Sequence, residues 1–148
     1  MQKFIKLPIN KKSLSSRKLV FGVGVNDADY LTQPTINGTR VRCSAYVQWT
    51  SMLQRCYSAN RKVNYPAYMG GSVVDEWLTF SSFAKWHEVN YVEGYDLDKD
   101  IKFKGNKVYS PDTCLFVPHF INALLTNSKA TRGEYPTGVS YHKGTGKF

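Results

Sequence analysis

Two carboxylates and an amine stand at the end of a short apolar run, Leu97-Asp98-Lys99-Asp100-Ile101, rather than on an open polar surface. The loop that follows carries Lys102, Lys104, Gly105, Asn106 and Lys107, a composition suited to a turn lying against a polyanion. Farther along, His119 and Asn122 stand at i and i+3, which puts both on roughly one face of a helix. From there Asn122 could aim a side-chain carbonyl back at the preceding strands. The elements that must hold these groups can be read in the same stretch. Asp96 to Ser128 reads as a strand, a glycine-containing loop, a short second strand and a helix. Tyr109-Ser110-Pro111-Asp112 is a turn, because proline presets φ and aspartate can bond its own backbone. Cys114-Leu115-Phe116-Val117 is apolar and β-prone, and Pro118 suits the first turn of a helix. Phe120, Ile121, Leu124 and Leu125 are the expected inward face of that helix.

Composition narrows the partner class. With 148 residues the chain accommodates one domain with a modest core plus extensions, and a net charge of +9 with a pI near 9.5 favours an anionic partner. Some of the 10 tyrosines and 8 phenylalanines are expected in the core, and others could stack on bases. No apolar run is long enough to cross a bilayer, and the start, MQKFIKLPINKKSLSS, lacks the apolar centre of a secretory signal. The chain is therefore expected in the cytoplasm of whatever cell contains it. Cys43, Cys56 and Cys114 are an odd number without a CxxC pair, so they read as buried small hydrophobes rather than as disulfide or structural zinc ligands.

The upstream chain is read as support. Residues 1–18 hold Lys3, Lys6, Lys11, Lys12, Arg17 and Lys18 with few acids, either an arm along phosphates or a solubilising terminus. Leu19 to Asn26 has strand-like character, but its lone GxG is too little for a nucleotide loop. The Pro34 to Gly38 stretch reads as a loop and Thr39 to Arg42 as a short polar strand or linker. Tyr46 to Tyr57 is a helix with Trp49, Met52, Leu53 and Cys56 along one stripe, a core pattern. Val73-Val74 reads as a buried strand, and Thr79 as the N-cap of a helix running through His87. His87 itself reads as a satisfied, partly buried side chain rather than a base.

Taken together, Leu97-Asp98-Lys99-Asp100, then Val108 to Cys114, then Asn122, resemble the HNH endonuclease family, the ββα-metal nucleases of homing and restriction systems. Trp49-x-x-Met52-x-x-Arg55-Cys56 and the Tyr68 to Val73, Trp77, Phe80 and Phe83 series are similar to segments upstream of the motif in phage members. The resemblance implies an α+β fold: a ββα-metal core with an upstream helical region and a basic N-terminal extension. It divides the chain into an arm and irregular extension at 1–45, a nuclease core at 46–128, and a linker with a partial hairpin at 129–148. That last segment resembles the opening strands of the plant ethylene-response-factor type DNA-binding domain. The implied chemistry is phosphodiester hydrolysis with a divalent cation, Mg2+ or Mn2+, held by Asp98 and Asn122.

In this reading Lys99 stands where the family usually has histidine. As an ammonium it would clamp the phosphate, leaving Tyr109 to activate water and His119 to assist or to coordinate the metal. DNA is the implied partner, met by Lys102, Lys104, Lys107, Arg55, Lys11 and Lys12, with Arg55 equally able to pair with an acid in the core; homodimerisation stays open. Two other readings stay open beside it. One is a DNA-binding protein that kept the fold and lost the base, the other a phage-type protein that binds and blocks a host enzyme.

Overall fold

The computed structural model describes residues 4–65 and 69–125. The linker and hairpin expected at 129–148, Tyr68, and the helix end expected near Ser128 lie outside the described residues. In chain order the elements are α1 (Lys11–Ser15), β1 (Thr35–Ile36), β2 (Thr39–Arg40), α2 (Ser44–Tyr57), α3 (Ala59–Asn64) and β3 (Ser72–Val73). A 3-10 turn, Asp75–Leu78, leads to α4 (Phe80–Asn90), β4 (Tyr95–Asp98), β5 (Val108–Tyr109), β6 (Leu115–Pro118) and α5 (His119–Leu125). The class is mixed α+β. Among the described residues no helix is long and apolar enough to cross a membrane.

The core is built on α2. Trp49, Met52, Leu53 and Cys56 recur at helical spacing and none is more than 1% exposed. Trp49 also donates its indole N–H to the carbonyl of Trp77 at 2.7 Å, so the largest ring is oriented as well as buried. Trp77 in turn meets Phe83 edge-on at 5.0 Å between ring centroids. Helix α4 thereby lies against the turn that precedes it. Its Phe80, Phe83 and His87 face inward.

Three pairs of short strands surround this core. β1 and β2 are antiparallel and joined by Asn37-Gly38, whose φ values of 50° and 75° match a type I′ hairpin turn. What reads as a loop in the sequence is thus a hairpin, signalled by the Asn-Gly pair. β3 and β5 are parallel, with Val73 opposite Tyr109. β4 and β6 are antiparallel, with Asp96 opposite Val117 and Leu97 opposite Phe116. Phe116 is gripped from α4 and just beyond it: it stacks on Trp86 at 5.6 Å and meets His87 and Tyr91 edge-on at 5.6 and 5.4 Å. This cluster fastens the β4–β6 pair to the helical core.

The N-terminal region departs from the expected arm. Asn10 caps α1 by accepting from the Ser13 amide at 2.8 Å, and Ile9 and Leu31 donate backbone bonds that tie the segments around Leu7 and Asp29 together. Leu19 to Asn26 is a tight reversal rather than a strand. Val20 and Gly24 exchange backbone hydrogen bonds of 2.8 and 2.9 Å across Phe21 and Gly22, both at positive φ. Thr79 makes no side-chain cap on α4. That role falls to distant Asp27, which accepts from the Ser81 amide at 2.8 Å and from the Ser81 hydroxyl at 2.5 Å.

Helix α5 also differs from expectation. Phe120, Leu124 and Leu125 are 63%, 69% and 60% exposed, and the half-buried positions are Ile121 and Asn122. The helix follows β6 directly and packs against β4 and β6, a two-strand edge too narrow to cover an apolar face.

Gly24 supplies a stability prediction. A Cβ there would sit 2.9 Å from the Trp49 ring, closer than carbon atoms approach in a packed core. Gly24→Ala should therefore destabilise the fold by about 1–3 kcal/mol, read as a lower urea midpoint with unchanged slope.

Candidate functional site

The antiparallel β4–β6 pair runs straight into α5, so side chains near the end of β4 stand beside the first turn of that helix. Leu97 is 4% exposed and anchors β4, while Asp96 and Asp98 alternate to the other side of the strand. The acid that meets α5 is Asp96. Its Oδ2 accepts from His119 Nδ1 at 2.7 Å and from Asn122 Nδ2 at 3.2 Å. An ionised carboxylate only accepts, so His119 donates to it through Nδ1–H. The His119 side chain is 81% exposed and that of Asp96 39%, so the cluster is open to solvent.

Electrostatics agree with an ionised Asp96. Burial by itself would raise its pKa. Hydrogen bonds from Asn122 and His119, with the charges of His119 and Arg55, outweigh that and hold the carboxyl below its ordinary value. Arg55, in the last turn of α2, also donates to the Tyr109 hydroxyl at 3.5 Å. It links the cluster to the core.

Several residues singled out in the sequence have other duties. Asp98, the expected metal ligand, accepts through Oδ1 from the backbone amides of Asp100 and Ile101, both at 2.7 Å, and so closes its own turn. Lys99, the expected phosphate clamp, donates to both Asp100 carboxylate oxygens at 2.8 and 2.7 Å. Its ammonium lies 5.6 Å from the centroid of the Tyr109 ring. Tyr109, the expected water activator, is 3% exposed, and burial pushes its hydroxyl up to about 12. A buried phenol with that pKa stays protonated at neutral pH, and its oxygen lies beside Arg55 rather than in solvent. Lys102 donates to the Asp112 carbonyl at 3.1 Å, while Lys104 and Lys107 project from the exposed loop and Lys11 and Lys12 from α1.

Of the expected site residues, the structure therefore brings together His119 and Asn122, with Arg55 close by, around an acid that sequence reasoning passed over. A signal for Asp96 was present: in a strand, Asp96 and Asp98 share a face, and only the cross-strand register separates them. The three cysteines are buried, and burial pushes the Cys56 and Cys114 thiols up to about 11. Among the described residues no group of three or more His, Cys, Asp and Glu side chains is arranged to hold a metal ion. The Asp96 cluster offers a carboxylate and a side-chain amide. Oxygens of those two groups fit a hard cation that keeps several of its own waters. No protein family, curated protein or solved structure matches this chain.

His87 is a core residue. It is 4% exposed, stacks on Tyr91 at 4.3 Å, and its Nε2 has no hydrogen-bond partner among the described residues. Burial lowers its pKa from 6.5 to about 4. Between those values the unfolded chain takes up a proton that the folded ring refuses. Stability should therefore fall as pH drops from 6.5 toward 4, by on the order of 2–3 kcal/mol from this ring, and be insensitive to it at higher pH. Urea midpoints across that range should be flatter for His87→Phe than for the wild type.

Proposed function

We propose that the protein is a metal-dependent DNA endonuclease of the HNH class, with β4, β6 and α5 as its ββα-metal core. The observation that carries this reading is the meeting of Asp96, His119 and Asn122 at the strand–helix junction, within 2.7 and 3.2 Å of one carboxylate oxygen. The net charge of +9 and the exposed Lys102, Lys104 and Lys107 support a nucleic-acid backbone as the partner.

Asp96 and Asn122 are the residues assigned to hold a divalent cation, Mg2+ or Mn2+. The Asn122 amide now turns its nitrogen to the carboxylate, and a flip about the last side-chain bond puts a hard oxygen in the same place. When bound, the cation would neutralise charge developing on the scissile phosphate and its leaving oxygen. His119 is the general base. Asp96 accepts from its Nδ1–H, so Nε2 is the nitrogen that faces solvent and would take a proton from an attacking water. Arg55 contributes positive charge at the inner edge of the cluster. Lys99 and Asp98 shape the turn that orients β4 rather than touching substrate.

A specific observation favours a second reading. Lys99 occupies the position where the resemblance leads one to expect histidine, and its ammonium is committed to Asp100. A DNA-binding protein that retains the fold without turnover would look the same at that position. Salt-dependent DNA binding with no metal-dependent cutting would select it.

Plasmid relaxation in the presence of Mg2+ or Mn2+ separates these outcomes. Wild-type protein should nick or linearise the plasmid, with activity lost on chelation. His119→Ala should lower the rate by about 100-fold or more, and Asp96→Ala should abolish cutting. Tyr109→Phe should keep it. Wild type that never cuts, or Asp96→Ala that cuts normally, removes the nuclease assignment.

A further inference from the structure

A second polar cleft lies far along the chain from the Asp96 cluster, between α1, the β1–β2 hairpin and the start of α2. It encloses about 440 Å³, within the range of ~300–1,000 Å³ that accommodates small-molecule-sized groups. It is lined by Arg17 and Arg40, by Ser13, Thr32, Gln33 and Tyr46, and by no acidic residue.

Arg17 makes this concavity electrostatically unusual. It is half-buried, and its guanidinium donates to the carbonyls of Asn26 at 2.8 Å, Ala28 at 2.7 Å and Tyr30 at 3.2 Å. Those bonds hold the side chain in place but supply only dipoles. Among the described residues no acid forms an ion pair with Arg17 or Arg40. Asp27, in the same loop, spends both carboxylate oxygens on Ser81. A partly desolvated cation with bound dipoles and no counter-ion, inside a low-dielectric wall, focuses positive potential into the cleft. Arg40 adds an exposed, orientable fork at the rim. Ser13 and Gln33 add neutral polar side chains to the same lining.

We propose that this cleft is a phosphodiester-binding subsite that holds the backbone of a nucleic acid away from the cleavage cluster, with Arg17 as fixed charge and Arg40 as the direct contact. It rests on nucleic acid being the substrate, as proposed above, but not on cutting. The subsite would add affinity and register without reading bases.

The test uses the full chain and a short blunt DNA duplex, with affinity followed by fluorescence anisotropy over a salt series. Arg40→Ala removes an exposed side chain and should leave the fold intact. It should make the plot of log affinity against log salt shallower by about 0.9. Gln33→Glu places a carboxylate in the cleft at constant shape and should weaken duplex binding by about tenfold at low salt, with the urea midpoint confirming that it is folded. Arg40→Lys should recover most of the slope. Unchanged affinity and slope in both Arg40→Ala and Gln33→Glu, or a wild type that does not bind the duplex, would overturn the subsite. Inorganic phosphate that shifts the Arg17 side-chain NMR signal while the variants bind duplex like wild type identifies a free-anion pocket, and also overturns the backbone assignment. Asp96→Ala reports on the cleavage cluster separately, since it should lose cutting and retain duplex affinity. Cutting that fails while Gln33→Glu still weakens binding leaves the subsite standing and removes only the nuclease reading.

Discussion

The register of the β4–β6 pair is the constraint on which the candidate site depends. β6 passes into α5 without a loop, so the helix begins beside whichever β4 residues pair with the end of β6. Pairing Asp96 with Val117 puts that carboxylate next to the first turn of α5, whereas Asp98 pairs with Leu115, ~6.6 Å farther back along the strand. A slip of one residue would bury both acids and expose Leu97; a slip of two would exchange their roles. Leu97 in the core and Phe116 among the rings of Trp86, His87 and Tyr91 prevent both.

That register is in turn secured by an aromatic core reaching from α2 to β6. Trp49 bonds the backbone at Trp77, Trp77 meets Phe83 and Trp86, and Trp86 stacks on Phe116. Shape and orientation are both specified, because edge-on rings and an indole N–H tolerate few alternative packings. The strand pairs are too short to be stable alone and are held by this packing. Buried His87 fits the same scheme, kept neutral by the rings around it at the cost of stability in acid.

Polar side chains perform the long-range stapling that short strands cannot. Asp27 caps α4, Arg17 gathers three carbonyls, and Asn106 bonds the carbonyls of Lys99 and Val108 to close the basic loop. Each converts an irregular segment into a defined surface. Positive charge is displayed on fixed concave and looped elements, while the carboxylates of Asp27, Asp96, Asp98 and Asp100 accept internal hydrogen bonds. For a chain of net charge +9 this division is the one the proposed nucleic-acid partner would meet at more than one place.

The sequence by itself determined several local elements and the sign of the net charge. The stripe Trp49, Met52, Leu53 and Cys56 specifies a buried helix face, Leu115 to Val117 specifies a strand, and Asn122 with His119 specifies one side of a helix, since each pattern is a property of neighbouring residues. Tertiary structure alone decided which acid faces that helix, that Tyr109 is sealed in the core, that Phe120, Leu124 and Leu125 of α5 remain exposed, and that Asp27 caps a helix far from itself in the chain. The reason is physical: periodicity is local, but register, burial and distant capping are set by how whole elements pack, and Asp96 and Asp98 remain equivalent until β6 is laid beside them.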